Sequence, residues 1–381
     1  MADGPEATDT QGASRVLRRG WTTGACATAA ATAALTAVLK GDFPNPVTVC
    51  LPGDRFPSFA LAHFRHIPDG AEAGVIKDAG DDPDVTHGAL VVARVRILPP
   101  GSGFVFRAGD GVGTITRPGL PLPPGEPAIN PGPRAMIADN LASIWRDAGR
   151  PLPPDLDIEI SIPGGAALAE KTLNGRLGII GGLSVLGTTG VVVPYSCAAW
   201  VHSIHRAVDV ARAAGLNHLG AVTGKASETG LRALHPDLDG AAVIDAGDFI
   251  GGFLKYLRKH PVAQVTLAAG FAKASKLAAG HLNLHSKASE VDLPRLAARL
   301  RSVGGSPDQV AAALDAGTAL GVLERARTAS LPLADAIATD ARLVALRAVE
   351  HRLAIEVAVF DRNGGLVGLA RTDEPTQRTV S

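Results

Sequence analysis

Cysteine is scarce: Cys26, Cys50 and Cys197 are the only three in 381 residues, and none forms a Cys-x-x-Cys pair. A disulfide framework and a thiolate zinc site are therefore excluded as organising devices. Aromatic residues make up only 4% of the chain, so cages of stacked rings are not the expected way of holding a ligand. Neither sign of charge is in excess, since 37 Lys plus Arg meet 37 Asp plus Glu. That balance removes the global electrostatic reason to expect nucleic acid or a membrane surface as partner, and a charged ligand must be met locally. Long apolar runs are missing too. Ala25 to Leu39 reads as too short and too weakly apolar for a membrane span, and no charged start leads into an apolar core. The expectation is a soluble, cytoplasmic protein.

Glycine (44) and proline (27) are plentiful within a composition that is 46% apolar. Cores of Ala, Val, Leu and Ile joined by tight turns follow. A chain of 381 residues exceeds the roughly 250 at which a single core stops growing, so two domains are expected. Residues 1–14 are polar and patternless and read as a disordered lead. Residues 15–170 read as an α+β domain with a mixed sheet. There an Ala/Thr helix follows Arg18-Arg19-Gly20-Trp21-Thr22-Thr23-Gly24 and stops at Gly41. Strand-like segments come next at Pro46 to Leu51, Ser58 to Ile67, Ala89 to Ile97, Gly103 to Arg107 and Ile158 to Ile162. The Pro/Gly-rich tract Gly109 to Pro133 is expected to wrap the surface.

Residues 171–381 read as a Rossmann-like wound α/β domain. Its expected opening unit is Leu177 to Pro194: an apolar run, the turn Gly187-Thr188-Thr189-Gly190, then a helix whose Cys197, Val201, Ile204, Val208 and Ala211 share one face. Three apolar strands follow, each ending in small residues. They are His218 to Val222 with Thr223-Gly224-Lys225, Ala241 to Ile244 with Asp245-Ala246-Gly247-Asp248, and Ala263 to Leu267 with Ala268-Ala269-Gly270. Helical patterns between them imply parallel strands with crossovers. Helices fill Val291 to Val349, and a hairpin with an Asn-Gly turn closes the pattern.

In an open α/β sheet, glycine-rich strand-end loops form the crevice in which a ligand lies. Four in succession favour a nucleotide-like ligand over plain turns, and the absence of Gly-x-Gly-x-x-Gly removes the specific case for a dinucleotide. From Phe249 to Ser289 there is no Asp or Glu, while Lys255, Arg258, Lys259, Lys273, Lys276 and Lys287 stand beside His260, His281 and His285. Such a field suits a substrate with several carboxylates or phosphates; a solvated helix face explains it equally well. Asp78, Asp81, Asp82 and Asp84 crowd one loop ahead of Thr86 and His87, with proline where an EF-hand has glycine. Their mutual repulsion marks a perturbed acid or cations nearby, although Asp also forms turns for structural reasons alone. Thr22-Thr23-Gly24 opens a helix, where free N–H groups and hydroxyls bind a carboxylate or phosphate, or where threonine simply caps. Cys26 just inside is expected to be buried and inert.

Taken together, RRGWTTGACA (Arg18 to Ala27), VIKDAGDDPDVTHG (Val75 to Gly88), INPGPRAMI (Ile129 to Ile137), GIIGGLSVLGTTGVVVPYS (Gly178 to Ser196) and the stretch Gly251 to Ser286 resemble the CbiD family. The resemblance runs from about Leu17 to Ala370, with Trp21 where the family pattern has tyrosine. It implies methyl transfer from S-adenosylmethionine to carbon 1 of a cobalt-precorrin tetrapyrrole, with cobalt arriving inside the substrate and no metal ligands on the protein. On that implication the cofactor is assigned to Gly187, Thr188, Thr189, Gly190, Thr223, Gly224, Asp245 and Asp248. The acidic arms of the macrocycle are assigned to Thr22, Thr23, Gly24, Lys255, Lys259 and Lys273, and any base to one of Asp78, Asp81, Asp82, His87 and Asp245. The first helix is expected to point its N-terminus at the Gly187 to Gly190 loop across an interdomain cleft. A homo-oligomer is left open. Two competing classes are a nucleotide-dependent oxidoreductase, disfavoured by the missing glycine fingerprint, and a non-enzymatic corrinoid-binding protein, which would bind tetrapyrrole without S-adenosylmethionine.

Overall fold

The computed structural model describes residues 7–8 and 14–371, so the expected disordered lead lies almost wholly outside the described residues. The chain divides into two compact units, Met1–Ser196 and Cys197–Ser381. The division comes later than the expected change at residue 171 because the first unit uses the run Leu177 to Pro194.

In the first unit, the alanine-rich helix α1 (Thr23–Lys40) forms the centre of the core. Thr22 caps it, its hydroxyl accepting from Ala25 N at 3.2 Å, and Gly41 ends it in the left-handed region at φ 90°. Methyl-sized side chains around the helix let neighbours approach from several sides, and every residue from Thr23 to Leu35 is buried. Contrary to the sequence expectation, α1 is long and apolar enough to meet the measure of a membrane span. It is the one such helix among the described residues, and 78% of it is buried inside the fold. Against it lies a mixed sheet of β1 (His63–Ile67), β2 (Gly70–Ile76), β3 (Leu90–Ile97), β4 (Phe104–Ala108) and β5 (Leu156–Ser161). The order is β1-β2-β3-β5-β4, antiparallel except for the β5–β4 pair. Alternation sends Ala71, Ala73 and Val75, Val91, Ala93 and Val95, and Leu156, Ile158 and Ile160 into one core with α1 and α2 (Pro131–Asp147). The tract expected to wrap the surface is partly internal: Val112, Ile115, Ala128 and Ile129 are buried.

The second unit carries α3 (Cys197–Ala213), β6 (His218–Val222), α4 (Lys225–Leu234), β7 (Val243–Asp245), α5 (Ile250–Lys259), β8 (Gln264–Gly270) and α6 (Phe271–Ala278). Then come α7 (Leu293–Ser302), α8 (Pro307–Leu314), α9 (Ala319–Thr328), α10 (Leu333–Ala348), β9 (Ala354–Phe360) and β10 (Leu366–Ala370). The sheet order is β7-β6-β8-β9-β10, all parallel but for β10. From β6 the chain steps to one side for β7 and then to the other for β8, so the order reverses between β6 and β8. Leu219, Ala221, Val265, Leu267, Ile355 and Val357 face the larger core with α3, α5, α6 and α10. Val222, Ala268, Ala358 and Phe360 face Leu231 of α4 on the other side.

The loop Gly187 to Gly190 does not end a strand of this sheet. Left-handed glycines at Gly178 (φ 75°) and Gly181 (φ 87°) break the apolar run, leaving only two-residue strands. Ile179–Ile180 pairs with Thr114–Ile115, and Val191–Val192 pairs with Gly20–Trp21, all within the first unit.

Candidate functional site

Backbone bonds gather three of the sequence motifs in the first unit. Trp21 N donates to Asp78 O (2.7 Å), Thr22 N to Gly190 O (2.9 Å) and Gly24 N to Leu186 O (3.0 Å). Asn130, the residue before α2, donates its N–H to Val185 O at 3.0 Å, so the N-termini of α1 and α2 both border the 185–190 turn. Thr22 to Gly24 thus meet Gly187 to Gly190 by direct contact inside one unit, not across a cleft between domains. The assignment of Gly187, Thr188, Thr189 and Gly190 to a cofactor at a strand end loses its basis.

The acidic loop is held on every side. Both Nη atoms of Arg18 bond the Asp78 carboxylate, Nη2 at 2.9 Å from Oδ1, and Gly80 N adds 2.9 Å. The Arg18 hydrogen bond, helped by Gly80 N, lowers the Asp78 pKa to about 2. A carboxylate so acidic is a poor proton acceptor near neutral pH. Asp81 accepts from Arg18 N (2.7 Å) and Asp82 from Tyr195 N (2.8 Å). His87 Nδ1 accepts from Ala79 N at 3.1 Å, which in the neutral tautomer leaves the ring proton on Nε2. Beneath the loop, Lys77 is 1% exposed with Nζ 2.7 Å from Asp84 Oδ2. Burial pushes the Asp84 pKa up, but the Lys77 and Thr86 hydrogen bonds outweigh it and the net direction is down. Sequence reasoning gave Lys77 no role; the signal was a lone cation at the end of a strand, just before four acids. Burial drives the Cys26 thiol up to about 12, which makes it unreactive.

In the second unit, Thr223 and Gly224 follow β6, Asp245 ends β7 and Asp248 follows it. Ala246 N and Gly247 N donate to Val222 O (3.0 and 3.1 Å), and Lys273 Nζ joins Thr223 O (2.6 Å) to Asp248 Oδ1 (3.1 Å). Lys273, read from the sequence as a substrate cation, is instead engaged as a brace between two strand-end loops. At Gly224 an added Cβ would meet nothing within 4 Å, and at Gly270, the last residue of β8, only Phe360 O at 4.0 Å. The space in front of the two strands at the reversal point is therefore open to a ligand, and neither α4 nor α6 has a side-chain cap. Lys255 and Lys259 are exposed on α5; Lys259 lies in its last turn, roughly 13 Å along the helix from the loop end at 1.5 Å per residue. Among the described residues, no group of three His, Cys, Asp or Glu is placed to hold a metal ion.

The CbiD family profile matches residues 10–194, and the profile of the CbiD C-terminal domain matches residues 283–371. Proteins named cobalt-precorrin-5B C(1)-methyltransferase match along almost their full length. The one from Bradyrhizobium sp. is 56% identical over 93% of this chain and 94% of that protein. The Rhodospirillum rubrum protein is 57% identical over 93% and 97%, and the Paramagnetospirillum magneticum protein 54% over 93% and 98%. The chain belongs to the CbiD family. A crystal structure of a cobalamin biosynthesis protein (cbiD) from Archaeoglobus fulgidus is 26% identical, covering 82% of this chain and 85% of that one. Its TM-score is 0.39. The first CbiD profile ends two residues before the first unit does, so one profile match covers both the turn Gly187 to Gly190 and Thr22 to Gly24.

Proposed function

We propose that this CbiD protein transfers a methyl group from S-adenosylmethionine to C-1 of cobalt-precorrin-5B, giving cobalt-precorrin-6A in cobalamin biosynthesis. One observation carries the reading: identity above 50% over more than nine-tenths of this chain and of three relatives bearing that enzyme name. A cytoplasmic location goes with it.

The second unit is read as Rossmann-like, with the cofactor at the reversal of strand order between β6 and β8, outside the carboxyl ends of the strands. The donor set there fits. Uncapped helix N-termini would offer N–H groups to a carboxylate, Asp245 at the end of β7 would accept from ribose hydroxyls, and Gly224 leaves room for close approach. S-adenosylmethionine supplies an electrophilic methyl on a positively charged sulfur, with the sulfur–carbon bond electrons leaving on the thioether. The protein's task is to align the acceptor carbon with that bond and exclude water, since the methyl needs no further activation. Thr223, Gly224, Asp245 and Asp248 would hold the cofactor, with Lys273 fixing the spacing of their loops.

Lys255 and Lys259, exposed on α5, would meet acetate and propionate arms of the macrocycle, whereas Thr22, Thr23 and Gly24 are buried and the N–H groups of Thr22 and Gly24 are taken by Gly190 O and Leu186 O. Asp81, Asp82 and Asp245 remain the acids suited to adjusting a proton on the macrocycle, because Asp78 is fixed as the partner of Arg18. Calorimetry with S-adenosylhomocysteine, with and without a tetrapyrrole acid, tests the reading. Separate saturable binding of each ligand supports it; binding of tetrapyrrole alone favours a carrier.

A further inference from the structure

We propose that the indole of Trp200 is the stacking platform for the adenine ring of S-adenosylmethionine. The inference rests on the cofactor reading above and specifies one contact within it. Trp200 lies in the first turn of α3, whose chain direction brings that end of the helix to the strand-end loops. Gly247, left-handed at φ 53°, runs beneath the ring: an added Cβ there would stand 3.4 Å from Trp200 Cζ2 and Nε1. Phe249 backs the indole at a centroid distance of 6.5 Å. So supported, the ring is still 47% exposed, whereas Trp145 is 5% exposed with its Nε1 bonded to Pro151 O. An indole held from one side and bare on the other, beside an open crevice, offers a π-face to a planar ligand.

The neighbouring groups favour a purine over an anionic arm. Asp245 and Asp248 flank Gly247, and Lys273, the cation paired with Asp248, is already engaged by Asp248 Oδ1 and Thr223 O. The surroundings of the ring are thus neutral to acidic, which suits a base carrying an amino group and disfavours a carboxylate. Stacking on an exposed aromatic is sequence-tolerant and needs no polar readout, so the interaction relies on area and orientation.

The test titrates the full-length protein with S-adenosylhomocysteine, followed by calorimetry and by tryptophan fluorescence. The wild type should bind with a change in emission. W200A should bind about tenfold or more weakly, W200F within a few fold of wild type but without the emission change, and both should melt within a few degrees of wild type. Wild-type affinity in a folded W200A overturns the proposal while leaving the cofactor reading intact. Failure of the wild type to bind S-adenosylhomocysteine removes the cofactor reading and this inference with it. An emission change at Trp200 caused by a tetrapyrrole acid, and absent with S-adenosylhomocysteine, also overturns it by giving the ring to the macrocycle.

Discussion

Thr22 and Gly190 are joined by a 2.9 Å backbone hydrogen bond, and the side chain of Thr22 fills the space where Gly187 would carry a Cβ. That added carbon would fall 2.4 Å from Thr22 Cβ and Oγ1, and Gly187 has φ 117°. G187A should therefore lose about 2–4 kcal/mol of stability, combining overpacking with a left-handed backbone. Chemical denaturation checks this. A variant as stable as wild type would show that the turn does not pack against the start of α1.

Asp78 owes its pKa of about 2 first to Arg18. A depressed carboxylate contributes stability that is present above its ordinary pKa of 3.8 and is lost as pH falls towards about 2. R18Q should return the Asp78 pKa towards 3.8, read by carboxyl-carbon NMR titration, with little change in stability at pH 7 because the pair is solvent-exposed. An unshifted Asp78 titration in R18Q contradicts this.

Lys77 and Asp84 form the costlier pair, because Lys77 is buried. D84N leaves an ammonium sealed under the loop and should destabilise the protein by about 2–4 kcal/mol, more than R18Q does. The contribution of Asp84 should be full above its ordinary pKa of 3.8 and fall away below it, since its folded pKa is lowered. Urea unfolding at pH 7 and pH 3 measures both statements; equal losses in D84N and R18Q would show that Lys77 is not sealed.

Much of this was legible locally. The start of α1 at Thr22 and its stop at Gly41 follow from a cap and a left-handed glycine, and the ends of β6, β7 and β8 follow from apolar runs meeting small polar residues. The turn Gly187 to Gly190 has the same local signature as those strand ends. Only its long-range pairing to Gly20–Trp21 assigns it to the other unit, and no local pattern carries that. Strand β2 escaped for a related reason: Gly70-Ala71-Glu72-Ala73-Gly74 lacks β-branched residues, and partners on both sides hold it in the sheet. Lys77 and Lys273 look like ordinary cations in sequence, and only burial and contact distances reveal the work of each.

Lys273 and Lys255 should separate in their effects. K273M removes the brace between the loops after β6 and β7 and should weaken S-adenosylhomocysteine binding roughly tenfold, about 1.4 kcal/mol, without altering tetrapyrrole affinity. The double variant K255Q/K259Q should do the reverse, weakening tetrapyrrole binding and flattening its salt dependence while sparing the cofactor. Loss of both ligands in either variant argues against the division.

The most direct measurement of the central claim supplies purified protein with cobalt-precorrin-5B and S-adenosylmethionine carrying a 13C-labelled methyl, then reads the product by mass and carbon NMR. One labelled methyl on C-1, with one S-adenosylhomocysteine formed per product, is the predicted result. No transfer by folded protein that binds both ligands, or a label on any other carbon, would contradict it.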